Sequence, residues 1–196
     1  ESQSRFVENI IGRSKAFWDY FYPTLRQLTK QAFSDISLDQ FVFAINHVKP
    51  SKIRVAADEV TYGLHIIIRF EIERELMQDR ITVNELPTVW NQKYRDYLDL
   101  TIENDSEGVM QDTHWAGGAI GYFPTYALGN IYSGQILAAM ENELPQWRSQ
   151  IQLGDNGHII DWLKDQIFSH GNLYDPTKFM KKVTGTAITI TPYLEY

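Results

Sequence analysis

An all-α fold is predicted by three features of this chain. Apolar residues recur every three to four positions, two capping-box patterns stand where such stretches begin, and Pro or Gly closes most of them. Over residues 3–33 the apolar positions are Phe6, Ile10, Phe17, Phe21, Leu25 and Leu28, and Pro23 is expected to kink or interrupt this stretch. Ser37 with Gln40 forms a capping box opening a second helix, LDQFVFAINHV, which Pro50 closes. Residues 51–57 allow either a short extended piece or the lead-in to the next helix, so at most a short hairpin is expected near 48–57. From Asp58 to Gln78 apolar residues lie nearly all round, which predicts a central, mostly buried helix. Its polar exceptions, Asp58, Tyr62, His65, Arg69 and Glu73, fall three to four apart and form one stripe, either solvated or lining a cleft. Within it Arg69 and Glu73 read as an ordinary helix-neighbour pair.

Thr82 and Glu85 make the second capping box, starting a helix to about Leu100, and the acidic ENDSEG at 103–108 reads as a loop. Residues 122–143 predict a helix stopped by Pro145. Asp155 or Asn156 can cap another running to about Ser169, with Gly171 as its stop. Asp175 followed by Pro176 opens a short helix that Gly185 ends. No repeat, low-complexity tract or linker interrupts the chain, so a single helical domain over 1–196 is expected.

At 196 residues, with five Trp and eleven Tyr, the chain is long enough to bury a substantial core. Its net charge of −7 disfavours nucleic acid and anionic membrane as partners, because both attract Lys and Arg patches. No apolar run reaches the roughly 18–20 residues of a spanning helix. The absence of Cys excludes disulfides and thiolate metal sites. No secretory signal is visible, and a cytoplasmic protein is the default expectation. Glu1 stands almost directly in a helix whose first turn lacks a cap, which suggests a fragment whose N-terminal portion is missing.

The stretch GVMQDTHWAGGAIGYFPTYALG, residues 108–129, carries most of the functional information. Gln111, Asp112, His114, Tyr122 and Tyr126 crowd a glycine-broken segment among Trp115, Phe123 and Pro124. Polar groups in such company are costly to bury without partners, which favours a cleft that binds something polar. The five histidines are His47, His65, His114, His158 and His170, and no two stand four apart. The HExxH pattern is therefore absent, and the chain has no complete zinc site of its own. Glycines 117, 118 and 121 miss the dinucleotide-binding spacing, and no Ser-His-Asp or Cys-His arrangement is suggested.

Three segments, Glu1-Ser2-Gln3-Ser4-Arg5, Ile53-Arg54-Val55-Ala56-Ala57-Asp58 and Gly108 to Trp115 continuing into GYFPTYALGN, resemble the zinc-dependent carboxypeptidases of the Taq type, peptidase family M32. The second and third look like that family's IRxxAD and GxxQDxHW motifs. The first looks like the remainder of its His-Glu-Ser motif, cut after the His. The resemblance covers essentially the whole chain as the C-terminal portion of a longer enzyme lacking its HExxH helix. It implies that Glu1 is the third ligand of zinc, or of another divalent metal. It implies that Arg54 holds the free α-carboxylate of a peptide substrate, a task suited to a planar guanidinium fork. Asp58 either orients Arg54 or caps the helix that follows. Tyr126 is the implied donor to the developing oxyanion, with Tyr122 the lesser candidate, and His114 stands beside substrate or metal. Gln111 and Asp112 hold His114 or the substrate backbone. A homodimer is implied for the intact enzyme, while the isolated fragment is expected to be inactive. The competing expectation is a non-catalytic helical interaction module, with Arg54, His114 and Tyr126 scattered over its surface.

Overall fold

The computed structural model describes residues 1–30 and 32–196. Among the described residues the α-helices are α1 (Ser2–Arg5), α2 (Lys15–Thr29), α3 (Leu38–Ile45), α4 (Glu59–Met77), α5 (Leu86–Leu98), α6 (Pro124–Glu143), α7 (Trp147–Gln152), α8 (Gly157–Gln166), α9 (Pro176–Thr184) and α10 (Thr191–Glu195). No strand forms among them. The expected span of 1–196 is built as two compact units, Glu1–Ile45 with Leu128–Tyr196, and Asn46–Ala127. No helix among the described residues is long and apolar enough to cross a membrane.

In the first unit the stretch expected to be interrupted at Pro23 breaks earlier. A π-helical segment, Phe6–Ile11, ends where the Gly12 N–H reaches the Val7 carbonyl at 2.8 Å. Ser14 then caps α2 by accepting the Phe17 N–H at 3.2 Å, and Pro23 lies inside that helix. Residue 31 of the expected stretch lies outside the described residues. The Ser37–Gln40 box forms in both directions, at 3.2 and 2.8 Å, though α3 stops at Ile45, short of Pro50. Asp175 caps α9 through the Thr177 N–H, and Gly185 closes it with φ +75°, as expected. The helices α7 and α10 have no counterpart in the sequence reading. The core of this unit gathers Phe6, Ile10, Ile136, Met140, Trp147, Ile151 and Leu163, each at most 1% exposed. Burial of each is worth about 1.5–3 kcal/mol against leaving it in water. Gly134 in α6 lets the C-terminal segment approach, since a Cβ there would meet the Tyr193 backbone at 2.6 Å.

In the second unit the hairpin allowed near 48–57 does not form, because its backbone donors find other partners. Arg54–Ala56 is a 3-10 turn, with Ala56 and Ala57 N–H bonded to the Ile53 and Arg54 carbonyls at 3.1 Å each. The Arg54 N–H goes to the Gln111 side chain, and the Lys49 N–H to Asp58. The Thr82–Glu85 box opens a 3-10 turn that runs into α5, and Asp99 ends this helix at φ 55°. The acidic loop at 103–108 is a chain of turns, as expected.

Helix α4 decides between the two readings of its polar stripe. Its polar stripe is not solvated: Tyr62, His65, Arg69 and Glu73 are all buried, with His65 and Arg69 at 1% exposure. The residues left exposed include the apolar Val60, Ile67, Phe70 and Met77, alongside Arg74. Two apolar clusters pack in this unit, one of Ile68, Ile72, Trp90, Tyr94, Leu98 and Ile102, the other of Tyr62, Ile66 and Phe123.

Candidate active site

The 3-10 turn that replaces the hairpin presents Arg54, whose side chain is 10% exposed. Asp58 caps α4 instead of orienting Arg54: its carboxylate accepts the Thr61 N–H at 2.8 Å and the Thr61 hydroxyl at 2.7 Å. Asp112 is the partner of Arg54, taking the Nε–H at 2.7 Å, while Arg54 Nη1 donates to the Tyr62 hydroxyl at 3.2 Å. The guanidinium also lies over the Phe123 and Tyr126 rings, 5.2 Å from each centroid.

Gln111 works as a backbone staple. Its carbonyl accepts the Arg54 N–H at 2.8 Å, and its amide reaches the Lys52 and Glu107 carbonyls at 2.9 and 2.8 Å. The segments carrying Arg54 and Asp112 are thereby locked together. The same amide lies 3.3 Å from the Tyr94 hydroxyl, which in turn meets His65 Nδ1 at 2.9 Å. Burial, reinforced by the Arg54 charge, pushes His65 down to about 4, so its ring is neutral at pH 7.

His114 stands between Asp112 and Tyr126. Its Nδ1 bonds Asp112 Oδ1 and its Nε2 lies 3.0 Å from the Tyr126 hydroxyl. An ionised carboxylate only accepts, so Nδ1 carries a proton. In a neutral ring Nε2 is then the acceptor, and Tyr126 donates to it. Burial pushes the Asp112 carboxyl upward, but the His114 hydrogen bond and the charges of Arg69 and Arg54 outweigh this and hold it below the ordinary aspartate range. Tyr122 stacks on the imidazole at 5.7 Å and 19°, and is 45% exposed.

Arg54, Gln111, Asp112, His114, Tyr122 and Tyr126 thus meet in one cluster of the second unit, against the scattering that an interaction module requires. Glu1 belongs to the first unit, where it packs over Gly129 of α6: a Cβ on that glycine would meet Glu1 Cγ at 2.7 Å. Nearby, Arg5 Nε donates to Asn130 Oδ1 at 2.7 Å.

Sequence reasoning missed the second layer of this cluster. Arg69 and Glu73 are not paired with each other by a hydrogen bond or ion pair. Arg69 Nη1 faces Asp112 Oδ2 at 3.5 Å, with its guanidinium carbon 3.9 and 4.2 Å from the Phe123 and Trp115 ring centres. Glu73 accepts the Trp115 indole N–H at 2.8 Å and the Gly121 N–H. The available signal is the polar stripe on an otherwise apolar helix, whose pattern alone does not say which way it faces.

The family model for carboxypeptidase Taq (M32) metallopeptidases matches residues 1–196. The chain belongs to this family. It is 46% identical over its whole length to carboxypeptidase 1 of Bacillus subtilis (strain 168), and covers 39% of that protein. It is 44% identical to thermostable carboxypeptidase 1 of Thermus thermophilus, again over its whole length, covering 38% of that protein. The M32 carboxypeptidase from Deinococcus radiodurans R1 superposes with a TM-score of 0.95 at 37% identity, over all of this chain and 39% of that one. The chain therefore spans about 39% of the length of such M32 relatives. As a metallopeptidase family, M32 implies a divalent metal. Among the described residues no three His, Cys, Asp or Glu side chains gather as a metal requires, so this chain's own residues do not complete such a site.

Proposed function

We propose that this chain forms the carboxylate-recognising and oxyanion-stabilising part of an M32 metallocarboxypeptidase that releases C-terminal residues from peptides. The observation that carries this reading is the continuous run of contacts Arg54–Asp112–His114–Tyr126. It gathers a guanidinium, an imidazole and a phenol, the groups an exopeptidase needs at the tail of its substrate. The Nη1/Nη2 edge of Arg54 is the side a terminal carboxylate takes, because Nε is committed to Asp112. Tyr126 turns its single hydroxyl proton from His114 Nε2 to the carbonyl oxygen as that oxygen gains charge, and Tyr122 flanks the substrate against the imidazole. Gln111 fixes the spacing of the two motifs, and Glu1 is the metal ligand that this segment contributes. Zinc as the metal, a homodimer and a cytoplasmic location complete the proposal.

In an enzyme that carries this segment together with an intact metal site, Tyr126→Phe is expected to lower kcat about 10²–10³-fold with little change in KM. Arg54→Met is expected to raise KM for peptides with a free C-terminus and to leave the residual rate on C-terminally amidated analogues unchanged. Steady-state assays of amino-acid release measure both, and wild-type kinetics in either variant would reject the assigned role. The 196-residue chain by itself is expected neither to hold zinc tightly nor to release amino acids, for want of the other ligands. Sustained release of C-terminal residues by the purified chain plus zinc would refute that.

A further inference from the structure

Arg69 is a permanently charged group with almost no contact with water, at 1% exposure. None of its three guanidinium nitrogens makes a hydrogen bond to a described residue. Burying such a group is costly, and what offsets the cost here is directional. The cation lies between the faces of Phe123 and Trp115, with Trp90 at 5.6 Å, and its one ion-pair contact among the described residues is Asp112 Oδ2 at 3.5 Å. That same oxygen takes the Arg54 Nε–H, while the other oxygen of Asp112 bonds His114. One carboxylate is therefore shared by two guanidinium groups and an imidazole, and of the two guanidinium groups Arg69 is the one that no hydrogen bond to a described residue anchors. Glu73, on the next turn of α4, is occupied by neutral N–H donors.

We propose that Arg69 is a positioning residue acting through Asp112: a second buried cation whose charge keeps that carboxylate oriented between Arg54 and His114 and keeps the cluster able to accept an anionic ligand. Two cations, Arg54 and Arg69, stand against two carboxylates, Asp112 and Glu73. Without Arg69 one cation faces both carboxylates, and a terminal carboxylate arriving at Arg54 enters a negative environment. The proposal rests on the reading of Arg54 as a carboxylate anchor for its ligand, but its link to Asp112 is testable independently.

Two readouts on the purified 196-residue chain test it, in wild type, Arg69→Met and Arg69→Lys. The first is the pH titration of the Asp112 carboxyl carbon by NMR. The groups facing this cluster are Arg54, Tyr62, His65, Arg69, Glu73, Tyr94, His114, Tyr122 and Tyr126, and only the residue at 69 changes between samples. The midpoint is expected to lie below the ordinary aspartate value of about 3.9 in wild type, to rise by about one pH unit or more in Arg69→Met, and to return most of the way in Arg69→Lys. A purely structural plug predicts instead that Arg69→Met, which fills the slot between the rings with no buried charge, keeps ligand binding at least as well as Arg69→Lys, so a second readout separates the two. The second readout is binding of an N-acetyl amino acid with a free carboxylate, against its amide. It is expected to weaken about tenfold in Arg69→Met and to be largely kept in Arg69→Lys.

An unchanged Asp112 midpoint in Arg69→Met overturns the proposal, as does failure of Lys to restore it. If Arg69→Met does not fold, the wild-type midpoint decides, and a value at or above about 3.9 overturns it. If the Asp112 shifts appear as expected while wild type shows no preference for the free carboxylate, the link to Asp112 is supported and the anchor reading of Arg54 falls.

Discussion

Asp112→Asn is expected to lower unfolding free energy by about 3–5 kcal/mol at pH 7, because it leaves two buried guanidinium groups without their counter-charge. The asparagine matches the aspartate in size, so the loss reports charge and not a cavity. Asp112 is 5% exposed, Arg54 10% and Arg69 1%, so water cannot screen the exposed deficit as it does for surface pairs. Urea unfolding monitored by circular dichroism measures the effect, and a deficit under about 1 kcal/mol would show that the two cations had found other compensation. The pH dependence follows from the direction of the shift. Asp112 is held below its unfolded value, so its contribution is fully present above about pH 4 and is lost as pH falls through the folded value. The gap between wild type and Asp112→Asn should therefore narrow in acid. His65 adds an earlier loss common to both proteins. Neutral and buried in the fold, it costs stability as pH falls from about 6.5 toward its folded value of about 4.

Glu73→Ala is expected to cost about 1–3 kcal/mol by a different route. The carboxylate is 6% exposed and accepts two N–H groups from the loop it holds, the Trp115 indole and the Gly121 backbone. Deleting it leaves the half-buried Trp115 indole N–H without its partner, worth about 1–3 kcal/mol when left unsatisfied, while the exposed Gly121 N–H can turn to water. Gly121 sits at φ +77°, a backbone geometry that glycine adopts freely and that lets its N–H reach Glu73. Glu73→Gln is informative because it is a poor rescue. Its single carbonyl serves one donor, and its amide turns N–H groups toward the other. Urea unfolding measures the cost, and hydrogen exchange at the Trp115 indole shows whether the loop loosens. Protection equal to wild type in Glu73→Ala would contradict the anchoring role.

What is legible in the sequence is what depends on near neighbours. Both capping boxes, the Asp175 cap and the Gly185 stop involve side chains within a few residues of the backbone they satisfy, so their patterns suffice. The six residues that cluster in the second unit are legible through motif resemblance, and their meeting around Asp112 and His114 agrees with those motifs lying together. The break at Gly12–Ser14 escapes a reading by residue type, in which Pro23 is the stronger breaker. Yet a serine cap and a widened turn cost little where the following helix packs well. The hairpin allowed near 48–57 is lost to a competitor 57 residues away, the Gln111 carbonyl, which takes the Arg54 N–H.

By itself the sequence determined that the chain is helical, where a few of its helices are capped, and which family's motifs it carries, since these follow from spacing and residue type. Only the tertiary structure decided which way α4 faces. An Arg and a Glu four residues apart look the same on a solvated face and on a buried one. Burial is chosen by what the rest of the fold offers: two aromatic faces and a carboxylate for Arg69, two N–H donors for Glu73. With those partners supplied by residues 112–123, the polar stripe turns inward and Val60, Ile67 and Phe70 are left outside.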